Sequence, residues 1–183
     1  FPLFTMTPQI GTGDSGQTSL FSGAKVNKDD KRIIALGNAD ELNSFLGITL
    51  SLELEEETKE ILEIVSHMVF DVGAEIASEG LYTAQNISDI EVQKMTDWIV
   101  FLDEKLPDLN EFMLPSGTPS AEWLNLTRAV TRRLERSMFL LMKNFMIRPE
   151  VFRFINRLSR LIFSLERWEN FKKSGVERKW EKG

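Results

Sequence analysis

Arg128-Ala129-Val130-Thr131-Arg132-Arg133-Leu134-Glu135-Arg136 lies in the middle of a long helical pattern, and how it is read decides the fold. At about 100° per residue, Arg128, Arg132 and Glu135 fall within roughly 60° of one another, with Arg136 at their edge and Arg133 turned away. The other side of the same helix is apolar, carrying Leu124, Leu126, Val130, Leu134, Met138 and Leu141. A helix divided in this way buries one side and presents the other. Two guanidiniums and a carboxylate share the presented side. Taken alone, that side reads as a solvated, ion-paired surface.

Working outward, the helical period continues in both directions. Thr118 as N-cap and Pro119 as first helical residue open this helix, which should end near Phe145. Pro149 opens the next, reaching about Ser174, with Lys172 and Lys173 in the last turn and Gly175 as the cap. Its stripe is Val151, Phe154, Ile155, Leu158, Leu161, Ile162, Leu165 and Trp168. Upstream, a first helix should run from about Asn38, acting as its cap, to Glu53, with Leu42, Phe45, Leu46 and Leu50 buried. A second covers about Glu55 to Ser78 and holds His67, the only histidine, which reads as a packed or surface residue because no second ligand accompanies it. Glu79 to Ile87 reads as a loop. Ser88-Asp89-Ile90-Glu91 is a capping box that opens a third helix ending before Pro107. Val176 to Gly183 reads as a frayed tail.

Five amphipathic helices joined by loops, with no sustained strand alternation after Asn38, predict an all-α, antiparallel five-helix bundle. No repeat and no linker divides the chain. Residues 1–183 are therefore expected to form one domain, with an N-terminal arm over 1–37 and the bundle over 38–174. At 42% hydrophobic and 27% charged residues, the composition is that of a soluble globular protein able to bury a core. No apolar run is long enough to span a membrane, and Phe1-Pro2-Leu3-Phe4-Thr5-Met6 lacks the features of a signal peptide, so a cytoplasmic location is expected. The absence of cysteine removes disulfides and thiol chemistry. A net charge of -6 argues against nucleic acid as a partner but not against a small polyanion.

Five of the eleven glycines fall before residue 38. Ile10-Gly11-Thr12-Gly13-Asp14-Ser15-Gly16-Gln17-Thr18-Ser19-Leu20 alternates glycine with small hydroxyl residues, a composition that lets successive N–H groups turn toward one anion. It lacks the Gly-Lys-Ser/Thr ending of a Walker loop. Alone, such a stretch is more often a flexible N-terminal arm, and Lys25, Lys28, Lys31 and Arg32 beyond it read equally as a solvated basic turn or as charge for a bound anion. Asp40 serves either the dipole of its helix or an arginine elsewhere. With one isolated histidine and no Ser-His or paired-carboxylate arrangement, the chain is poor in bases and nucleophiles. Its inventory suits gripping a polyphosphate, with the nucleophile brought by a substrate. No metal-ligating cluster is expected.

Five segments in order resemble the ATP:cob(I)alamin adenosyltransferases of the PduO type. They are Thr12-Gly13-Asp14-Ser15-Gly16-Gln17-Thr18-Ser19-Leu20-Phe21, Asp40-Glu41-Leu42-Asn43-Ser44-Phe45, Phe112-Met113-Leu114-Pro115, Arg128 through Arg136, and Asn156-Arg157-Leu158-Ser159. The resemblance covers about Ile10 to Phe171. It implies a homotrimer in which ATP, Mg²⁺ and cobalamin meet between adjacent subunits, and transfer of the 5′-deoxyadenosyl group of ATP to cob(I)alamin with release of triphosphate. It also implies that Thr12, Gly13, Asp14, Gly16 and Thr18 surround ATP and that Lys28 reaches its phosphates. Arg132, Glu135 and Asn156 match nucleotide-contacting catalytic residues. Asp40 matches the acid that pairs across the interface with the residue at Arg128, and Phe112 matches the ring that displaces the lower axial ligand of cobalamin. A flavoprotein reductase or an adenosylcobalamin-dependent enzyme is the protein partner such a reaction admits.

The chain departs from that pattern at five places. Gly11 and Ser15 stand where the family usually has cations beside the triphosphate, each contributing on the order of 1 to 3 kcal/mol. Arg160 replaces an aspartate one turn from Asn156, Asn125 stands where histidine is common, and Ser116 where glycine is common. These changes keep open an alternative, a weak or inactive homologue that binds ATP or a corrinoid as a sensor or carrier.

Overall fold

A computed structural model describes residues 10–20, 23–78 and 87–180. Phe1 to Gln9, Phe21 and most of the expected 79–87 loop lie outside the described residues. The described part opens with turns through Ile10–Ser15 and a short hairpin, β1 (Gln17–Ser19) pairing antiparallel with β2 (Lys25–Asn27) in the register Thr18↔Val26. Five helices follow: α1 (Lys31–Leu50), α2 (Glu56–Ser78), α3 (Asp89–Asp103), α4 (Pro119–Leu141) and α5 (Pro149–Lys172). Two further short strands, β3 (Met113–Leu114) and β4 (Arg178–Lys179), pair with each other.

Local signals start three of these helices. The Ser88 side chain accepts from the Ile90 N–H, while the Glu91 carboxylate takes the Ser88 N–H at 2.9 Å. The Ser88 hydroxyl, which donates to the Glu91 carboxylate at 2.5 Å, and then the Ser88 N–H hold the Glu91 carboxyl below the usual range. Thr118 caps α4, accepting from Ala121 N–H at 3.2 Å, with Pro119 behind it. α1 begins seven residues before the expected Asn38. Its cap is Asp30, whose carboxylate accepts from the Arg32 N–H at 2.8 Å, so Lys31 and Arg32 belong to the helix and the arm ends at residue 30. Gly37 sits inside α1 with open space where a side chain would be; burial of Ala35 and Ala39 on either side outweighs its weak propensity. At the other end, Ser174 rather than Gly175 takes the left-handed turn (φ 54°), and the Gly175 N–H closes onto the Asn170 carbonyl at 2.8 Å. α4 ends at Leu141, short of Phe145.

Cross-helix contacts fix the directions. α4 runs antiparallel to α5, since Thr118 meets Asn170 and Glu135 meets Asn156. α1 runs antiparallel to α4, through the Thr49–Thr127 hydroxyl pair at 3.2 Å and the Glu41–Arg133 ion pair. α2 is antiparallel to α5, with Glu55 beside Glu169 and Glu75 gripping Arg148. α3 is the exception, lying parallel to α5, with Asp89 on Arg153 and Asp103 on Arg160. Five helices that alternate in direction along the chain leave three pointing one way, so one neighbouring pair runs parallel. The core between them is closed by Leu42, Leu62, Met95, Leu124, Leu134 and Phe154, all fully buried. Leu126, on the expected apolar stripe, is exposed.

The hairpin therefore leaves from the end of the bundle where α4 stops and α5 starts. Arg32 lies over the Phe145 ring at 4.7 Å there. The Phe112 loop stands at the other end, beside the start of α4 and the close of α5. At about 1.5 Å per residue, α4 keeps the two ends roughly 30 Å apart.

Candidate functional site

α4 and α5 build the arginine face together. Their antiparallel register sets Glu135 against Asn156, whose side-chain amide donates to the carboxylate at 2.7 Å. Arg157 reaches the Asn156 carbonyl oxygen at 3.5 Å. Arg132 is exposed one turn before Glu135, and among the described residues it has neither a hydrogen-bond nor an ion-pair partner. Arg133, turned to the other side as its angle requires, pairs with Glu41 of α1. The face thus presents an unengaged guanidinium next to an amide whose orientation is already fixed. That combination can meet an anion through Arg132 and a hydroxyl or ring nitrogen through Asn156.

Arg128, one turn earlier, is half-buried and lies 5.5 Å above the Phe163 ring of α5, while its Nε finds no acceptor among the described residues. Arg160 covers the same ring at 5.3 Å. Its guanidinium is held by Asp103 of α3 at 2.5 Å and by Ser164 at 2.7 Å, not by Glu135. The positive charge introduced at position 160 is thus neutralised on α3, and the Glu135–Asn156 pair is undisturbed. Below this layer, burial pushes the Glu166 carboxyl up to about 7, against the opposing pull of Arg128. Glu122 and Glu177 raise it further, and its Oε2 has no hydrogen-bond partner among the described residues.

Among the described residues, the glycine-rich arm consists of turns over 10–16 followed by the paired strands β1 and β2. Gly11 (φ 89°) and Gly16 (φ 78°) take the left-handed conformations that turn the chain, with Asp14 N–H bonding Gly11 O and Gly16 N–H bonding Gly13 O. Lys28 returns across the turn: its N–H bonds Gly16 O at 2.9 Å, and its ammonium lies where any side chain at Gly13 would stand, 2.9 Å from that Cβ position. Thr12, Asp14 and Gly16 are exposed and Thr18 half-exposed around it. The arrangement brings Thr12, Gly13, Asp14, Gly16 and Lys28 together, and separately Arg132, Glu135 and Asn156. It does not join the two groups within one chain.

Asp40 is exposed and ten residues into α1, too far from the N-terminus to serve the helix dipole. No ion pair joins it to Arg128 or to any other described residue of its own chain. Phe112 is 81% exposed on the loop before α4, and Pro115 of the same loop lines a cleft of about 400 Å³ with Glu122, Trp123, Asn125, Leu126 and Ala129. Among the described residues no group of three or more His, Asp or Glu is disposed to hold a metal. No helix among them is long and apolar enough to cross a membrane. Sequence reasoning missed Asp103, Glu166 and the Arg32 anchor. Only Arg32 carried a signal, as part of the Asp30-Lys31-Arg32 cap.

Fold and site together define an all-helical bundle that presents an arginine-asparagine face on α4 and α5, a glycine-turned hairpin at one end and an exposed aromatic at the other. The chain belongs to the cobalamin adenosyltransferase family, whose profile matches residues 9–169. It is 36% identical to a cobalamin adenosyltransferase of Cupriavidus metallidurans over 93% of this chain and 92% of that one. It is 37% identical to a corrinoid adenosyltransferase of Bacillus subtilis over 90% and 86%. Among solved structures it is similar to a PduO-type ATP:corrinoid adenosyltransferase from Lactobacillus reuteri. A phenylalanine-to-alanine variant of that protein, complexed with cobalamin and ATP, superimposes with a TM-score of 0.88 at 29% identity, covering 95% of this chain and 99% of that one. An arginine-to-lysine variant complexed with ATP gives 0.87 at 31% identity, covering 94% and 99%.

Proposed function

We propose that this chain transfers the 5′-deoxyadenosyl group of ATP to cob(I)alamin. The reduced cobalt attacks the ribose C5′, a cobalt–carbon bond forms, and the C5′–O bond breaks with its electron pair leaving on triphosphate. The metal substrate is itself the nucleophile, so the reaction asks no side chain to take a proton. The observation that carries this reading is the Glu135–Asn156 bond at 2.7 Å beside an unengaged Arg132. The amide is oriented to hold the nucleoside while the guanidinium neutralises charge developing on the leaving phosphates. Thr12, Gly13, Asp14, Gly16, Thr18 and Lys28 form the arm that closes over the triphosphate. Mg²⁺ enters on the nucleotide's phosphate oxygens. Phe112 presents an apolar ring in place of the lower axial ligand of cobalamin, which makes the cobalt centre easier to reduce.

Arm and ring sit at opposite ends of one bundle, so a centre that uses both needs two copies. A cytoplasmic homotrimer in which Asp40 of one subunit meets Arg128 of the next supplies that arrangement and gives two otherwise unpaired groups a partner. Incubating purified protein with ATP, Mg²⁺ and chemically reduced cobalamin is expected to yield an adenosylated cobalamin with a visible spectrum distinct from the starting corrinoid. ATP uptake by calorimetry with no such product, where a known adenosyltransferase succeeds, would instead establish the sensor or carrier reading.

A further inference from the structure

The tail after α5 is paired rather than frayed. β4 lies antiparallel to β3 in the register Met113↔Lys179 and Leu114↔Arg178, and beyond the strand the Trp180 N–H donates to the Phe112 carbonyl at 2.8 Å. The Arg178 N–H donates to Ser116 Oγ at 2.8 Å, and that hydroxyl donates to Leu114 O at 2.9 Å. The Arg178 guanidinium reaches Pro115 O at 3.1 Å, and Lys179 pairs with Glu111 at 3.1 Å. A serine where the family commonly has glycine is thus the latch between loop and tail.

One side chain of α5 holds both segments. Asn170, 2% exposed, accepts from the Thr118 N–H at 2.9 Å, donates to Ser116 O at 3.0 Å, and offers its own carbonyl to Gly175. Its amide occupies the space a side chain at Gly117 (φ 120°) would need, 2.0 Å from that Cβ position. The loop that presents Phe112 is therefore fastened on one side by α5 and on the other by the tail. The ring itself stays bare.

Resting on the function proposed above, we infer that residues 178–180 are a positioning clamp for Phe112: by bonding the backbone of Phe112 and Leu114 and the side-chain hydroxyl of Ser116 they fix where the ring meets the lower face of a bound cobalamin. An aromatic that must take the place of a ligand works only at a defined distance from the cobalt. A misplacement of about 1 Å can cost on the order of a hundredfold in rate. A loop held only at its α4 end would leave that distance to chance. The residues that act here do so through Phe112, without touching the substrate.

Trp180→Pro removes the N–H that bonds the Phe112 carbonyl, and Lys179, in β4, already has the extended backbone a following proline requires. Trp180→Ala removes the exposed indole and keeps the N–H. With full-length protein, ATP and cob(II)alamin, the visible spectrum reads the share of bound corrinoid that has lost its lower ligand. Trp180→Pro is expected to lower that share and to cut kcat by about tenfold or more, with ATP affinity and sedimentation unchanged, while Trp180→Ala stays within about twofold of wild type. Ser116→Ala is expected to fall between them. Identical spectra for the two Trp180 variants would overturn the clamp. Wild-type protein that binds ATP and leaves the cobalamin spectrum untouched would overturn the function beneath it.

Discussion

Arg132 and Asn156 differ in how much of their work is done before a ligand arrives. Asn156 is already oriented by Glu135, whereas Arg132 is solvated and gives up that solvation only for an anion. Arg132→Ala should therefore leave folding intact and lower kcat/KM for ATP by about a hundredfold or more, the loss expected when one charge-assisted contact to a leaving group goes. Steady-state kinetics beside an unchanged melting curve checks it. Glu135→Gln keeps an acceptor for Asn156 and should cost less than Glu135→Ala. Glu166 makes the opposite kind of prediction. Its carboxyl is raised by burial to about 7, so the folded state binds more protons than the unfolded state between the ordinary carboxylate range and 7. Stability then falls as pH climbs through that window and levels off above it. Glu166→Gln removes the penalty, raising stability at pH 8 by up to ~3 kcal/mol and changing little at pH 4, as thermal melts at the two pH values would read.

Among the elements, α1 carries the arm. The Asp30 carboxylate, pulled down to about 2 mainly by its hydrogen bonds from Arg32, clasps a guanidinium that is in turn seated on Phe145 beyond the end of α4. Lys28 is two residues away, so this clasp sets where the hairpin leaves the bundle. Arg32→Ala should raise KM for ATP several-fold with a smaller change in kcat. A folded carboxyl held low contributes stability above its unfolded value that is lost as acid takes pH down toward 2, and the variant should lose that acid-sensitive share. Acid titration of the two proteins by circular dichroism compares them. The same helix marks the limit of what the sequence made legible. The Ser88 box and the Thr118-Pro119 start are written in adjacent residues, and both were read correctly. Asp30 is also adjacent to its helix, yet Gly37 and the basic run around it gave the first two turns the look of the arm. The partners that settle the matter, Phe145 for Arg32, Asp103 for Arg160 and Leu114 for Arg178, are far along the chain, and periodicity carries no information about them. Within the candidate site, the sequence offers residue types in order as short motifs; which of them meet inside one chain it does not say.

At the scale of the whole molecule, the decisive fact is that up-and-down helices place the hairpin and the Phe112 loop at opposite ends of a bundle that α4 keeps roughly 30 Å long. No hinge between α4 and α5 brings them together, because the core is continuous from Leu124 to Phe154. Association of copies is the economical solution, and two charges on α1 and α4 that form no ion pair among the described residues say how it would be tied. Asp40 is exposed, and Arg128 is held over Phe163 with its Nε uncommitted. Burying such a pair between subunits is favourable only if both partners are present, since removing either strands the other charge. Asp40→Ala and Arg128→Ala should therefore each weaken assembly, whereas the double variant should weaken it by less than the sum of the two. Arg132→Ala, on the face proposed to meet the nucleotide, should sediment as wild type. Sedimentation velocity across a dilution series separates these cases, and equal assembly of all four variants would show that the interface is tied elsewhere. Adding ATP should strengthen assembly of the wild type more than that of Arg132→Ala, because a ligand held by the arm of one copy and the arginine face of the next binds only the associated state.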